Sequence, residues 1–170
     1  MVQKGPNTRF ANGIVSALIV VFFLAHGLLG SFAFALPSAH PLLWVVWVGV
    51  GFVVLHVALS VVTSYQQLSD REFPPSARKK RHLALKWATG GLLAASIVAH
   101  IACMRVPVLV IAAPFLPKLS TVVLSAVLAW HISVGMKSLL KDIGLSKQLM
   151  TPLRVLVCML AAAFCIMSLM

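Results

Sequence analysis

Four histidines, His26, His56, His100 and His131, each stand inside a run of apolar residues. An imidazole in that setting can ligate a metal, carry a proton, or simply hydrogen-bond a hydroxyl on a neighbouring helix. Ionisable groups inside a bilayer are costly without a partner, so one on each of four successive apolar segments points to a built site. Other reactive groups are few. The acids are Asp70, Glu72 and Asp142, all in connections or at helix ends. Cys103, Cys158 and Cys165 lack the CxxC or CxxCH spacing of an iron–sulfur site or a covalent c-type haem, and read as packing residues.

The elements that position these histidines must be membrane helices. The 170 residues are 61% hydrophobic and 10% charged, with a mean hydropathy of +1.01, whereas soluble domains are about a quarter charged. A span needs about 20 apolar residues, and five candidates occur, at 11–35, 42–67, 83–104, 119–141 and 152–170. Pro37 and Pro41, Pro74 and Pro75, and Pro107, Pro114 and Pro117 fill the first three connections, and Pro152 opens the last helix. The expected fold is an all-α integral membrane protein, a five-transmembrane-helix bundle forming one membrane domain over residues 1–170, without a soluble catalytic domain. The first run follows Lys4 and Arg9 and reaches Ala33-Phe34-Ala35, which imitates a secretory signal. Its length exceeds the roughly 7–15 residues of a signal h-region, so it reads as a retained span.

The formal charge is +11, from 14 Lys+Arg against 3 Asp+Glu. Arg71, Arg78, Lys79, Lys80, Arg81 and Lys86 cluster in one connection, and Lys137, Lys141, Lys147 and Arg154 in another. The positive-inside rule places both on the cytoplasmic side, with the amino terminus inside and the carboxyl terminus outside. Such loops suit anionic lipid; no aromatic and basic face accompanies them to suit nucleic acid.

An internal repeat organises the histidines. His26 maps onto His100 by a shift of 74 positions, and His56 onto His131 by 75. Asn12-Gly13 precedes Ala25-His26 as Thr89-Gly90-Gly91 precedes Ala99-His100. The chain thus reads as two repeated helix pairs with a fifth helix appended. At about 1.5 Å per residue, His26 and His100 lie roughly 5 Å to the outer side of their span midpoints and His56 and His131 roughly 3–5 Å to the inner side, two levels on the order of 10 Å apart.

Two imidazoles at equal depth on facing helices suit haem, a large apolar ring that needs small residues beside it. Gly27, Gly30, Gly49, Gly51, Gly90, Gly91 and Gly135 lie near those depths. Without intramembrane carboxylates or thiolates, a bare zinc or copper cage is a poorer fit. The expectation is two bis-histidine b haems, one on His26 and His100 and one on His56 and His131, with hydrogen bonding to a neighbouring Ser or Thr the competing role for each histidine. His40, in the outer turn, and His82, in the basic run, suit a solvated or headgroup-level role. Trp44, Trp47, Trp87 and Trp130 mostly suit an interfacial belt.

The stretch His131, Gly135-Met136, Lys137, Leu139, Asp142 and Gly144 resembles the signature of the cytochrome b membrane anchors of succinate dehydrogenases and fumarate reductases. In that family a ligand histidine is followed by a small residue, an aliphatic one, Arg, and Asp-x-Gly at the cytoplasmic edge. Lys137 stands here for the Arg, and Ser138 for an aromatic or His. Lys86-Trp87-Ala88-Thr89-Gly90, followed ten residues later by His100, is similar to the family's basic-x-x-Ser/Thr-Gly entry.

The resemblance implies a dihaem anchor in a bacterial or archaeal cytoplasmic membrane. It would hold an iron–sulfur subunit and an FAD flavoprotein on the cytoplasmic face and exchange electrons with quinone, menaquinone foremost. The ligand-free helix comes last here, where dihaem members of the family have it in the middle.

The basic loops fit an acidic partner surface. Lys137 and Lys141 are placed to neutralise propionates of the inner haem, and Arg105 and Lys118 those of the outer one; headgroup snorkelling is the alternative for each. Quinone chemistry needs a proton donor and acceptor. His40 is the candidate near the outer haem, and His82, Lys86, Ser60 and Ser64 are candidates near the inner one. Two other functions compete: the cytochrome b subunit of a hydrogenase or formate dehydrogenase, and a small transporter, which would need unwound helices or a polar path at midplane.

Overall fold

Away from water every peptide N–H and C=O must be paired within its own segment or sheet, and an α-helix does so alone. The computed structural model describes residues 8–35, 43–70 and 74–169. Pro37, His40, Pro41, Arg71 and Glu72 lie outside the described residues. In chain order the helices are α1 (Thr8–Ala35), α2 (Leu43–Leu68), α3 (Ala77–Arg105), α4 (Pro107–Ala112), α5 (Leu116–Asp142) and α6 (Met150–Leu169), the last entered through a 3-10 turn, Lys147–Leu149. Among the described residues there is no strand. All the helices except α4 are long and apolar enough to cross a membrane; the shortest of them, α6, reaches about 30 Å over its 20 residues. The chain is an all-α polytopic membrane protein.

Helix ends depart from the expected spans for identifiable reasons. The third helix begins at Ala77, six residues before the apolar run. Ser76 follows Pro74-Pro75 and caps it, its Oγ accepting from the Lys79 N–H at 3.4 Å and its carbonyl from the Lys80 N–H at 3.0 Å. Charge marks where the apolar stretch stops, but Arg78, Lys79, Lys80 and Arg81 are good helix formers and the helix runs on through them. The proline-rich third connection holds α4, with Pro107 as its first residue, and Pro117 is the second residue of α5. At both positions the missing N–H costs no intrahelical bond.

The end of α5 is a Schellman cap. Leu145 N–H donates to the Leu140 carbonyl at 2.8 Å and Gly144 N–H to that of Lys141 at 3.3 Å, with Gly144 at φ 76°. The glycine of the Asp-x-Gly sequence therefore has a structural role as a helix stop.

Burial is reversed relative to a soluble protein. Thr63, Ser64, Thr89, Ser96 and Ser125 are buried, while Val21, Trp47, Val98 and Ile111 are exposed. That is the pattern of helices packing through small and hydroxylated residues and presenting apolar ones to lipid.

The chain packs as two compact units. One comprises Met1–Arg81 with Lys137–Gln148, the other His82–Met136 with Leu149–Met170. In the first, α1 and α2 run antiparallel: Thr8 Oγ1 donates to Gln66 Oε1 at 2.8 Å near one end, and Phe22 lies on Gly49 further along. The Phe22 ring occupies the place a Cβ on Gly49 would take, and it stacks on His26 with centroids 6.0 Å apart and planes 4° apart. Gly13 on α1 admits the end of α5, since a Cβ there would lie 2.8 Å from Ile143 Cγ2 and 3.3 Å from Asp142 Cβ.

In the second unit α5 lies between α3 and α6. Residues 89 and 100 of α3 bond to residues 131 and 120 of α5, and residues 154 and 165 of α6 to residues 133 and 122. Both sets step by eleven residues in opposite directions, so α5 is antiparallel to each neighbour. At about 100° per residue, Ser120 and His131 share one face of α5, and Val122 and Ser133 share the opposite one.

Gly49→Ala is expected to lower the thermal midpoint of the purified protein by displacing Phe22. Gly51→Ala, whose Cβ meets nothing within 4 Å, leaves the midpoint unchanged or raises it. Equal losses in both variants would contradict the Phe22 packing. Gly144→Ala forces a side chain into the left-handed region and costs about 1–2 kcal/mol, measurable by unfolding in mixed detergent.

Candidate cofactor-ligand histidines

The α1–α2 pair builds the first site. Ser16 Oγ donates its one hydrogen to the Asn12 carbonyl at 2.6 Å, a bond back along its own helix. Only lone pairs of that oxygen then face Nδ1 of His56, 3.0 Å away. Asn12 Oδ1, at 2.9 Å from the same nitrogen, is an acceptor too, and also receives the Ser60 hydroxyl at 3.4 Å. With the Ser16 hydrogen on the Asn12 main-chain carbonyl, His56 Nδ1 is the group that would donate to these oxygens.

The α3–α5 pair repeats this chemistry with other residues. Thr89, 1% exposed, donates its hydroxyl hydrogen to the Leu85 carbonyl at 2.9 Å, with the Lys86 carbonyl at 3.2 Å. His131 Nδ1 lies 3.0 Å from Thr89 Oγ1 in the same arrangement. Further along, Ser120 Oγ donates to the Pro117 carbonyl at 2.8 Å and shares a hydrogen bond with His100 Nδ1 at 3.2 Å. Thr121 Oγ1, which also donates to Pro117, lies 3.5 Å from the same nitrogen. Gly90 lets the His131 ring lie close, since a Cβ there would stand 3.3 Å from its Cε1.

Three imidazoles are thus each engaged at Nδ1 by a hydroxyl that also bonds its own helix. Metal-ligating histidines have this arrangement: the non-ligating nitrogen donates to a fixed acceptor, which sets the tautomer and orients the ring. The competing role, hydrogen bonding to Ser or Thr of a neighbouring helix, is met by the same contacts. The two roles use different nitrogens and are compatible.

His26 is half-buried and is held by stacking on Phe22. It lies ten residues beyond Ser16 on α1, and His100 eleven residues beyond Thr89 on α3. In each helix pair the histidine levels are therefore about 15–17 Å apart along the axis, more than the 10 Å inferred from span midpoints. Gly30 and Gly135, one turn past His26 and His131, leave open space, a Cβ at either meeting nothing within 4 Å.

The remaining candidates fall elsewhere. Lys137, Lys141, Arg105 and His82 are exposed and Lys86 is half-buried, while His40 is outside the described residues. Ser60 joins the His56 site through Asn12. No three His, Cys, Asp or Glu side chains converge among the described residues.

Ser16, Ser120 and Thr121 escaped the sequence reading because a hydroxyl in an apolar run carries no signal until the helix register is known. Arg154 was grouped with the basic loop. It lies on α6, and its Nη2 donates to the Ser133 carbonyl at 2.8 Å, two residues past His131.

Nitrogen NMR of the histidine-labelled, cofactor-free protein is expected to show His56, His100 and His131 as Nδ1–H tautomers; Nε2–H signals from all three would contradict the assignment. Thr89→Val removes the acceptor at His131 without changing side-chain shape and is expected to cost about 1 kcal/mol of stability in an unfolding titration.

No family model, no curated protein and no solved structure matches the chain.

Proposed function

We propose that the chain is a dihaem b-type cytochrome that anchors a succinate dehydrogenase or fumarate reductase-like complex in the membrane and passes electrons to or from quinone. The observation that carries the proposal is the common contact of His56, His100 and His131, each with Nδ1 against a Ser or Thr hydroxyl of the neighbouring helix. His26 is the fourth histidine that would ligate iron. Gly30 and Gly135 leave room beside the ligand faces of α1 and α5.

The residues present fit haem. Apolar helices exclude water, imidazoles supply the iron ligands, and the absence of Asp and Glu from residues 82–136 and 149–170 leaves positive charge available for propionates. Haem held there supplies one-electron transfer at the iron. The chain's own residues fix the ligand rings, keep the site dry and set the spacing of the two levels. A separation of about 15–17 Å is that of two neighbouring centres rather than one.

The basic first turns of α3, with Arg78, Lys79, Lys80, Arg81 and exposed His82, suit an acidic iron–sulfur subunit that carries the FAD flavoprotein. Positive charge at a helix amino terminus opposes the helix dipole, so anionic partners there are stabilising. In this account that end, with Lys137 and Lys141, faces the cytoplasm. His82, Lys86, Ser60 and His40 are the separate candidates for contact with quinone. A transporter would use broken helices at mid-membrane, and α1, α2, α3, α5 and α6 are each continuous.

A pyridine haemochrome assay on the purified protein tests the proposal. Two b haems per chain are expected, with one lost in His26→Ala and one in His131→Ala. A folded, assembled preparation without haem would refute it.

A further inference from the structure

Arg154 lies in the second unit, apart from the histidine contacts. It is the fifth residue of α6 and is half-buried. Its Nη2 donates to the Ser133 carbonyl at 2.8 Å. Its Nε is buried and has no hydrogen-bond partner among the described residues.

The register deepens the anomaly. Ser133 lies nine residues inside the end of α5 at Asp142, about 13–14 Å along the axis. An arginine near a helix end ordinarily snorkels outward to the interface. Arg154 instead turns its guanidinium onto α5, toward the level of His131.

A guanidinium stays charged at any pH the protein meets and carries five N–H donors, of which a single carbonyl uses one. A guanidinium with a buried, unpartnered N–H is unfavourable until an anion meets it. Residues 82–136 and 149–170 contain no Asp or Glu, so the unit supplies no carboxylate of its own. The unused donors suit an anion from outside this unit that offers two oxygens, which the Nε and Nη fork matches in the bidentate manner.

We propose that Arg154 forms an oxyanion site inside the membrane region, binding the carboxylate or phosphate of an amphiphile whose apolar body lies among the helices. An acidic phospholipid supplies a phosphate. If the proposed function holds, a haem propionate supplies a carboxylate at the same place, and that second source alone rests on the haem reading.

The test uses the full-length protein in three forms: wild type, Arg154→Met, which keeps length and apolar packing, and Arg154→Lys, which keeps charge without the fork. In delipidated, haem-free protein Arg154→Met is expected to be at least as stable as wild type, because it removes a charge that has no partner. Added phosphatidylglycerol raises the wild-type thermal midpoint and leaves that of Arg154→Met unmoved if phosphate is the ligand. Binding of haem, compared with binding of its dimethyl ester, reports the other source. Wild type then favours native haem by about tenfold, the equivalent of about 1.4 kcal/mol, and Arg154→Met shows no preference. Arg154→Lys falls between the two in whichever arm responds.

A response to phosphatidylglycerol supports the site even in a protein that takes up no haem, so the fate of the haem reading is separate. Responses in wild type and Arg154→Met that coincide in both arms would overturn the proposal, as would a large loss of stability in ligand-free Arg154→Met.

Discussion

A bilayer gives a polar side chain no water to bond, and the structure follows from meeting that demand inside the bundle. Ser16, Thr89 and Ser120 each donate to a carbonyl of their own helix and turn the same oxygen toward an imidazole of the neighbouring one. One local habit of Ser and Thr in helices thereby sets a hydroxyl oxygen against Nδ1 of His56, His131 and His100. Helix pairing and ring orientation both follow from that contact.

The glycines and the caps serve that arrangement. Gly49 receives Phe22, which in turn stacks on His26; Gly90 makes room for the His131 ring; Gly13 admits the end of α5. These contacts fix the register within each helix pair, and a slip of one residue on α5 would turn Ser120 and His131 about 100° away from α3. The Schellman cap at Gly144 ends α5 in the same turn that packs on Gly13.

Much of this was legible in the sequence, and its limits were physical. Apolar length alone located the membrane helices, because backbone pairing in lipid admits few alternatives. The expectation that α3 begins at residue 83 failed by six residues, since hydropathy records where lipid ends and Ser76 records where the helix begins. The histidines stood out as costly residues in apolar runs, but Ser16 and Ser120 did not, because a hydroxyl that bonds its own helix is cheap anywhere along it. Depth from span midpoints gave a separation near 10 Å, and register gave about 15–17 Å, the difference arising from charge-defined ends that misplace a midpoint by a turn. Arg154 illustrates the same limit: net charge assigned it to a loop, while its bond to Ser133 places it against α5.

The central proposal is that the intramembrane histidines would ligate haem iron in pairs. Low-temperature electron paramagnetic resonance of the oxidised, purified protein tests it most directly. The account predicts two low-spin ferric signals of the bis-imidazole type, one lost in a variant at each histidine level. A high-spin signal, or none from a protein that retains its helical fold, would contradict it.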